Sequence, residues 1–367
     1  MTKQETLNKL MLVNDYWMRT EPEKEEPTWS VSCYFMGNLM AYECTGRQEY
    51  LDSVLKWCRN NEYKISHYRN YEYAHRRLVT FFTEEALLPW KYDDPDQYVY
   101  LHADNVTCGR VYLRLKELFS EEVNLNILME TLNFNIQDPH EDYWWWCDAL
   151  HMALCLYHQV SAMTGDDRYG KKAHAMFLNA KEKHMLYDED EHLWYRDYRF
   201  HSPSHRTKNG RKPFWGRGNG WVYAALIQTI EVLDKDSPYR AEYEKMFLEM
   251  TDAIMKCRNN DGLWGTSLHD YEEYPVSEGS ATLLFLHSMI LAVNLGVLDE
   301  HFAALFEELF DRFTDYAVTD DGFVGYIQGV AKSPGETRPD GTRDYAVGYY
   351  LMCCAEWIRY CERRESL

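Results

Sequence analysis

AYECTGRQEYLDSV, residues 41–54, runs from an apolar segment through a glycine and a short polar turn into a fresh charged segment of helical spacing. Glycine readily adopts the left-handed backbone that ends a helix, and acidic or polar residues favour the start of the next. The stretch therefore predicts a helix, a tight turn and a second helix. The same pattern returns in SAMTGDDRYGKKA at 161–173 and in AVNLGVLDEHFAAL at 292–305.

Extended along the chain by periodicity, this unit predicts six apolar helices, at roughly 28–44, 100–119, 144–163, 218–233, 278–295 and 343–361. Five more polar helices follow them, at about 47–60, 121–133, 168–184, 239–257 and 300–316. The opening segment, 3–20, makes a twelfth, placed to pack beside the last apolar helix and close a ring. Strand signals are short and local, as in GFVGYIQG at 322–329. The expected fold is all-α, an (α/α)6 barrel of two concentric layers forming one catalytic domain over 1–367. An open solenoid is the alternative.

Composition narrows the partners. Asp and Glu number 59 against 39 Lys and Arg, a net charge of −20, which argues against nucleic acid or an anionic membrane. The opening MTKQETLNKLMLVNDYW lacks the uninterrupted apolar core of a signal peptide, so a cytoplasmic location is expected. The ten cysteines are scattered through amphipathic stretches, and Cys353 and Cys354 are adjacent, so they read as reduced thiols. No paired CxxC or HExxH spacing supports a zinc site, and no cofactor or metal is expected.

Loops at 61–99, 187–217 and 258–277 are long and rich in Tyr, Asp, Arg, Pro and Gly. Such loops are uncommon unless functional or disordered, and their aromatic content favours a pocket wall. Four segments fall at or just before the start of an apolar helix: HADNVTCGRVYL at 102–113, WWWCDALHMA at 144–153, FWGRGNGW at 214–221 and YPVSEGSATLLFLHS at 274–288. Side chains at the same end of parallel inner helices converge on the axis, which brings Asp104 and Asp148 to one cleft. The plain reading of each Asp is a helix N-cap. Among the tryptophans, Trp145 shares a helical face with Ala149, Met152 and Leu156 and reads as core. At least one of Trp144 and Trp146 is left to line the cleft, where an indole can stack on a sugar and raise a nearby carboxyl pKa. The alternating Gly216, Gly218 and Gly220 read as a tight turn that lets backbone approach a ligand. Arg217 between them suits a carboxylate, although a structural salt bridge to a neighbouring acid competes with that role.

Taken together, the segments resemble the unsaturated glycuronyl hydrolases, glycoside hydrolase family 105 (unsaturated rhamnogalacturonyl hydrolases) and its relative family 88. WWWCDALHMA is similar to that group's Trp-Cys-Asp-Ala-Leu motif and FWGRGNGWVYAAL to its Trp-x-Arg-Gly-Asn-Gly-Trp motif. HADNVTCGRVYL is similar to the segment carrying its other acid. GLWGTSLHDYEEYPVSEGS and DGFVGYIQG match later segments, so the likeness runs in order from about residue 100 to the C-terminus. It implies an (α/α)6 barrel that acts without a metal on small oligosaccharides ending in a 4,5-unsaturated uronate, most simply rhamnogalacturonan fragments of pectin. It implies Asp148 as general acid/base, protonating C4 and then activating water for attack at C5, with Asp104 as partner acid. It further implies that Arg217 binds the uronate carboxylate, that Trp146, Trp215 and Trp221 shape the sugar site, and that His102, Arg196 and Trp29 belong to it. The expected assembly is a monomer or weak homodimer.

Two departures bear on substrate choice. LWYRDYRF carries Arg196 where many members have His, and ALCLYH follows where a proline is usual. The first 100 residues match only loosely. The alternatives are the same chemistry on glycosaminoglycan or other uronides, a toroidal epimerase or lyase, and a silent sugar-binding protein. Retention of both Asp104 and Asp148 weighs against the last.

Overall fold

The computed structural model describes residues 1–21, 24, 26–66, 102–119 and 123–366. Beyond Ser66 the expected pocket wall at 61–99 lies outside the described residues, as do 100–101 and the first residues of the helix expected at 121–133.

Twelve helices of ten residues or more run through the described chain: α1 (Lys3–Thr20), α2 (Trp29–Thr45), α3 (Gln48–Asn60), α4 (Gly109–Phe119), α5 (Asn126–Gln137), α6 (Cys155–Thr164), α7 (Arg168–Leu178), α8 (Gly216–Val232), α9 (Arg240–Lys256), α10 (Gly279–Asn294), α11 (His301–Ala317) and α12 (Asp344–Glu365). The glycine stops behave as expected: Gly46, Gly165 and Gly296 sit at φ +66°, +70° and +71°, left-handed backbone that a side chain would strain.

Burial separates the two layers. Gly216–Ile230 of α8 and Gly279–Val293 of α10 are buried on every side. The outer α3 buries only a stripe, Tyr50, Leu51, Val54, Trp57 and Cys58, whose three- and four-residue spacing is one face of a helix. Among the inner helices α2 touches α4, α4 touches α6, α6 touches α8, α8 touches α10, α10 touches α12, and α12 returns to α2. The ring is closed, so the solenoid alternative is excluded. The N-terminal α1 packs on α12, as its apolar face predicts.

The closing contact is a close one. A Cβ at Gly348 of α12 would stand 2.2 Å from the Cys33 carbonyl oxygen of α2, and one at Gly37 of α2 would stand 2.4 Å from the Gly348 carbonyl oxygen. Only glycine at both positions lets these helices approach so far.

Between the helices lie a two-stranded antiparallel ribbon, Tyr187–Asp188 with Leu193–Trp194, and isolated bridges such as Trp215 with Ser267 and Val318 with Val324. All ten cysteines are free. No described helix is long and apolar enough to cross a membrane.

Candidate active site

WWWCDALHMA does not enter a helix at its first tryptophan. Residues 144–147 stay outside the helix: the Trp146 backbone bridges to Asp197, and Cys147, in the turn that follows, donates its N–H to the Arg196 carbonyl at 2.8 Å. Helical backbone begins at Asp148, and the first turns, Leu150–Leu154, are wound as a wide π-helix before α6. Such turns carry an extra residue and recur at functional sites. Here the lead-in and the wide turn place Asp148 at the axial end of an inner helix.

Asp148 is 8% exposed, with its Oδ2 3.2 Å from Arg196 Nε. Among the described residues that nitrogen has no aligned hydrogen-bond acceptor, so its contact with Asp148 is a charge pair rather than a hydrogen bond. Burial pushes the Asp148 carboxyl above its ordinary range. Arg196 and, more weakly, Arg217 pull it down, while the like charge of Asp104 adds to the rise. Burial and the second acid win, as the sequence suggested, but Arg196 is the main opposing charge.

Asp104 lies in a short helical turn, Ala103–Val106, with its carboxylate 3.8 Å from His102 Nδ1. His102 packs on Trp146, ring centres 4.7 Å apart, so Asp104, His102, Trp146 and Asp148 form one neighbourhood.

Asp197, which sequence reasoning passed over, organises the other side. It is fully buried and accepts from Arg196 NH1 at 2.6 Å, Arg199 Nε at 2.8 Å and Arg199 NH2 at 3.0 Å. Burial alone would raise its carboxyl, but the bonds from Arg199 and Arg196 prevail and hold it below the usual carboxylate range. Both guanidiniums stand over the Trp145 ring, at 5.8 and 5.5 Å. Trp145 is therefore buried as expected, yet it serves as the floor under this arginine pair. The only signal in the sequence was that LWYRDYRF puts Asp197 between two arginines.

Three expectations about FWGRGNGW need correction. Its glycines open α8 instead of forming a turn toward a ligand: a Cβ at Gly216 would meet the Gly265 carbonyl oxygen at 2.5 Å, and one at Gly218 the Trp215 ring at 2.9 Å. Arg217 is 1% exposed and its terminal nitrogens donate to the carbonyls of Gln328 and Gly329, each at 2.8 Å, so much of its donor capacity is spent on the chain itself. Trp215 and Trp221 are also 1% exposed and offer no open face to a sugar. Trp215 lies under Arg217 and donates from Nε1 to Gln328 Oε1 at 2.8 Å. Trp221 packs edge-on against Trp29, Tyr345 and Tyr349. Trp29 is half-buried and stacks on Tyr345, whose hydroxyl donates to the Gln328 carbonyl at 2.6 Å. This group is the rigid backing of the site. Among the described residues no group of three or more His, Cys, Asp or Glu is placed to hold a metal ion.

A closed double ring of helices with a buried, upward-shifted carboxyl group beside a second acid at one end of its axis has the form of a toroidal glycosidase. The sequence profile of Glycosyl Hydrolase Family 88 matches residues 3–361, and the chain belongs to that family. The match takes in the first 100 residues, where the motifs alone were weak, and it names family 88 rather than 105. The chain is 27% identical over 359 residues to an unsaturated 3S-rhamnoglycuronyl hydrolase of an Alteromonas species, covering 94% of this chain and 81% of that one. Among solved structures it resembles a family 88 glycosyl hydrolase from Bacteroides vulgatus, with TM-score 0.86 and 26% identity over 98% of this chain and 100% of the other. It also resembles a protein described as Polysaccharide Lyase BACCELL_00875, with TM-score 0.86 and 29% identity over 98% of each chain.

Proposed function

We propose that this glycosidase hydrolyses oligosaccharides ending in a 4,5-unsaturated uronic acid, by hydration of the C4=C5 double bond. The carrying observation is the environment of Asp148, a carboxyl group held above its ordinary pKa beside a cation that can balance the charge it later acquires. An ordinary glycosidase uses its acid on the leaving oxygen. On an enol ether the same proton goes to C4, positive charge develops at C5 and the ring oxygen, and the Asp148 carboxylate then takes a proton from water attacking C5. The resulting hemiketal opens and releases the aglycone.

Arg196 replaces Arg217 in the binding role. Its Nε is buried, lacks a hydrogen-bond acceptor among the described residues and lies beside the acid, where a substrate carboxylate would pair with the guanidinium. Asp197 fixes the direction of that guanidinium. Asp104 and His102 hold sugar hydroxyls on the opposite side, with Trp146 packed behind His102.

For the aglycone, the pectic reading and the name of the Alteromonas relative agree on rhamnose next to the uronate. The test is a panel of lyase-generated disaccharides followed by ultraviolet absorbance of the unsaturated uronate. Hydration makes absorbance fall, fastest with unsaturated uronyl-rhamnose. A rise on intact polysaccharide would mean lyase chemistry, and no change with any uronide would refute the proposal.

A further inference from the structure

The toroid has a second mouth. At the end of the axis away from Asp148, each inner helix turns one stripe of side chains inward, at the spacing of a single helical face: 36, 40 and 43 on α2; 110, 114 and 117 on α4; 352, 356 and 359 on α12, joined by Gln159, Gln228, Glu231, His287 and Leu291. They enclose a cavity of about 400 Å³, within the range of small-molecule sites.

Its charges are unevenly matched. Arg114 binds Glu43 through Nε at 3.0 Å and NH2 at 2.5 Å, and reaches Glu117 at 2.9 Å. Arg359 binds Glu356 at 2.5 Å and Glu43 at 3.2 Å. Arg110, by contrast, has no carboxylate within ion-pair distance among the described residues. One NH1 bond, 2.5 Å to Gln228 Oε1, holds it, and its buried Nε has no hydrogen-bond partner among the described residues. Gln228 is itself fixed by donating to the Tyr349 hydroxyl at 3.2 Å, so the guanidinium is directed and not free to swing away. Nearby, His287 is 2% exposed and its Nδ1 also lacks a hydrogen-bond partner among the described residues. Glu231 is exposed, lines this cavity and makes no hydrogen bond among the described residues. Buried donors without acceptors are rare in native proteins and mark places where a missing group belongs.

We infer that this far mouth is a second binding site, for a small polyhydroxy carboxylate of monosaccharide size. The carboxylate pairs with the open edge of Arg110, where a planar guanidinium makes two parallel bonds. Hydroxyl groups pair with Glu231 and with the amide of Gln159, and the C–H surface lies on Met36, Met40, Leu291 and Met352.

Calorimetric titration of the wild-type protein with gluconate, with sorbitol as the control lacking a carboxylate, tests this. The expected result is gluconate binding at one equivalent, sorbitol binding at least about tenfold weaker, and Arg110→Gln weakening gluconate by about tenfold or more. The same variant should keep kcat/KM on the disaccharide within about twofold, since Arg110 is outside the hydrolytic site. A crystal of wild-type protein soaked in gluconate provides a readout that does not depend on the variant folding, with density expected against Arg110. No gluconate binding, density only beside Asp148, or equal binding by Arg110→Gln overturns the assignment.

Discussion

In the proposed hydration Asp148 carries the first proton, and its neighbours pull its carboxyl in opposite directions. The first step needs the protonated acid, so turnover should fall as pH rises through the Asp148 pKa. Removing Arg196, which lowers that pKa, should move the falling limb of kcat to higher pH in Arg196→Met. Removing Asp104, which raises it, should move the limb to lower pH in Asp104→Asn. Shifts of the same sign in both variants would show that Asp148 is not the group being titrated. Asp197→Ala should be severe for a different reason: it strands two guanidiniums, and breaking a buried pair costs about 3–5 kcal/mol, readable as a lower denaturation midpoint. That Asp148 and Asp104 share one neighbourhood was legible because each stands in a motif at the start of an inner helix. The role of Arg217 was not, because the carbonyls that bind it belong to Gln328 and Gly329, more than a hundred residues later in the chain. Asp197 was hidden for a similar reason. One charged residue among several in a loop gains meaning only from what the folded chain brings to it.

At the level of helices, the glycine stops and the apolar stripes gave most boundaries to within a few residues, because both follow from local backbone preference and from period. The failures lie at the helix starts. Periodicity could not show that Trp144–Cys147 stays outside the helix or that α6 is entered through a π turn, since the lead-in is held by a backbone pairing to the loop at Asp197. The glycines of FWGRGNGW were misread because small size serves helix packing as well as turns. The closest such packing, α2 against α12, gives a direct prediction. Gly348→Ala forces a Cβ into the Cys33 carbonyl oxygen and should destabilise the fold by about 1–3 kcal/mol in urea unfolding. An unchanged midpoint would mean that the two helices can separate freely.

The whole toroid buries neutral histidines, and this sets its response to acid. His151, His158 and His287 are at most 3% exposed, and burial depresses all three, His158 to about 4 and His287 to about 3. Unfolded, each would take up a proton near its ordinary 6.5, so stability is intact above that pH and is lost as pH falls toward the folded values. Each histidine contributes a slope of roughly 1.4 kcal/mol per pH unit over that window. Thermal unfolding should accordingly occur at lower temperature at pH 5 than at pH 7, and a flat profile would show these rings to be solvated. The closed ring gathers the chemistry at one end of the axis, where the raised Asp148 carboxyl stands. The decisive measurement is the initial loss of ultraviolet absorbance from an unsaturated uronyl-rhamnose disaccharide, comparing wild type with Asp148→Asn. Hydration driven by Asp148 requires rapid loss in the wild type and a rate lower by about a thousandfold in the variant. Equal rates in the two proteins would contradict it.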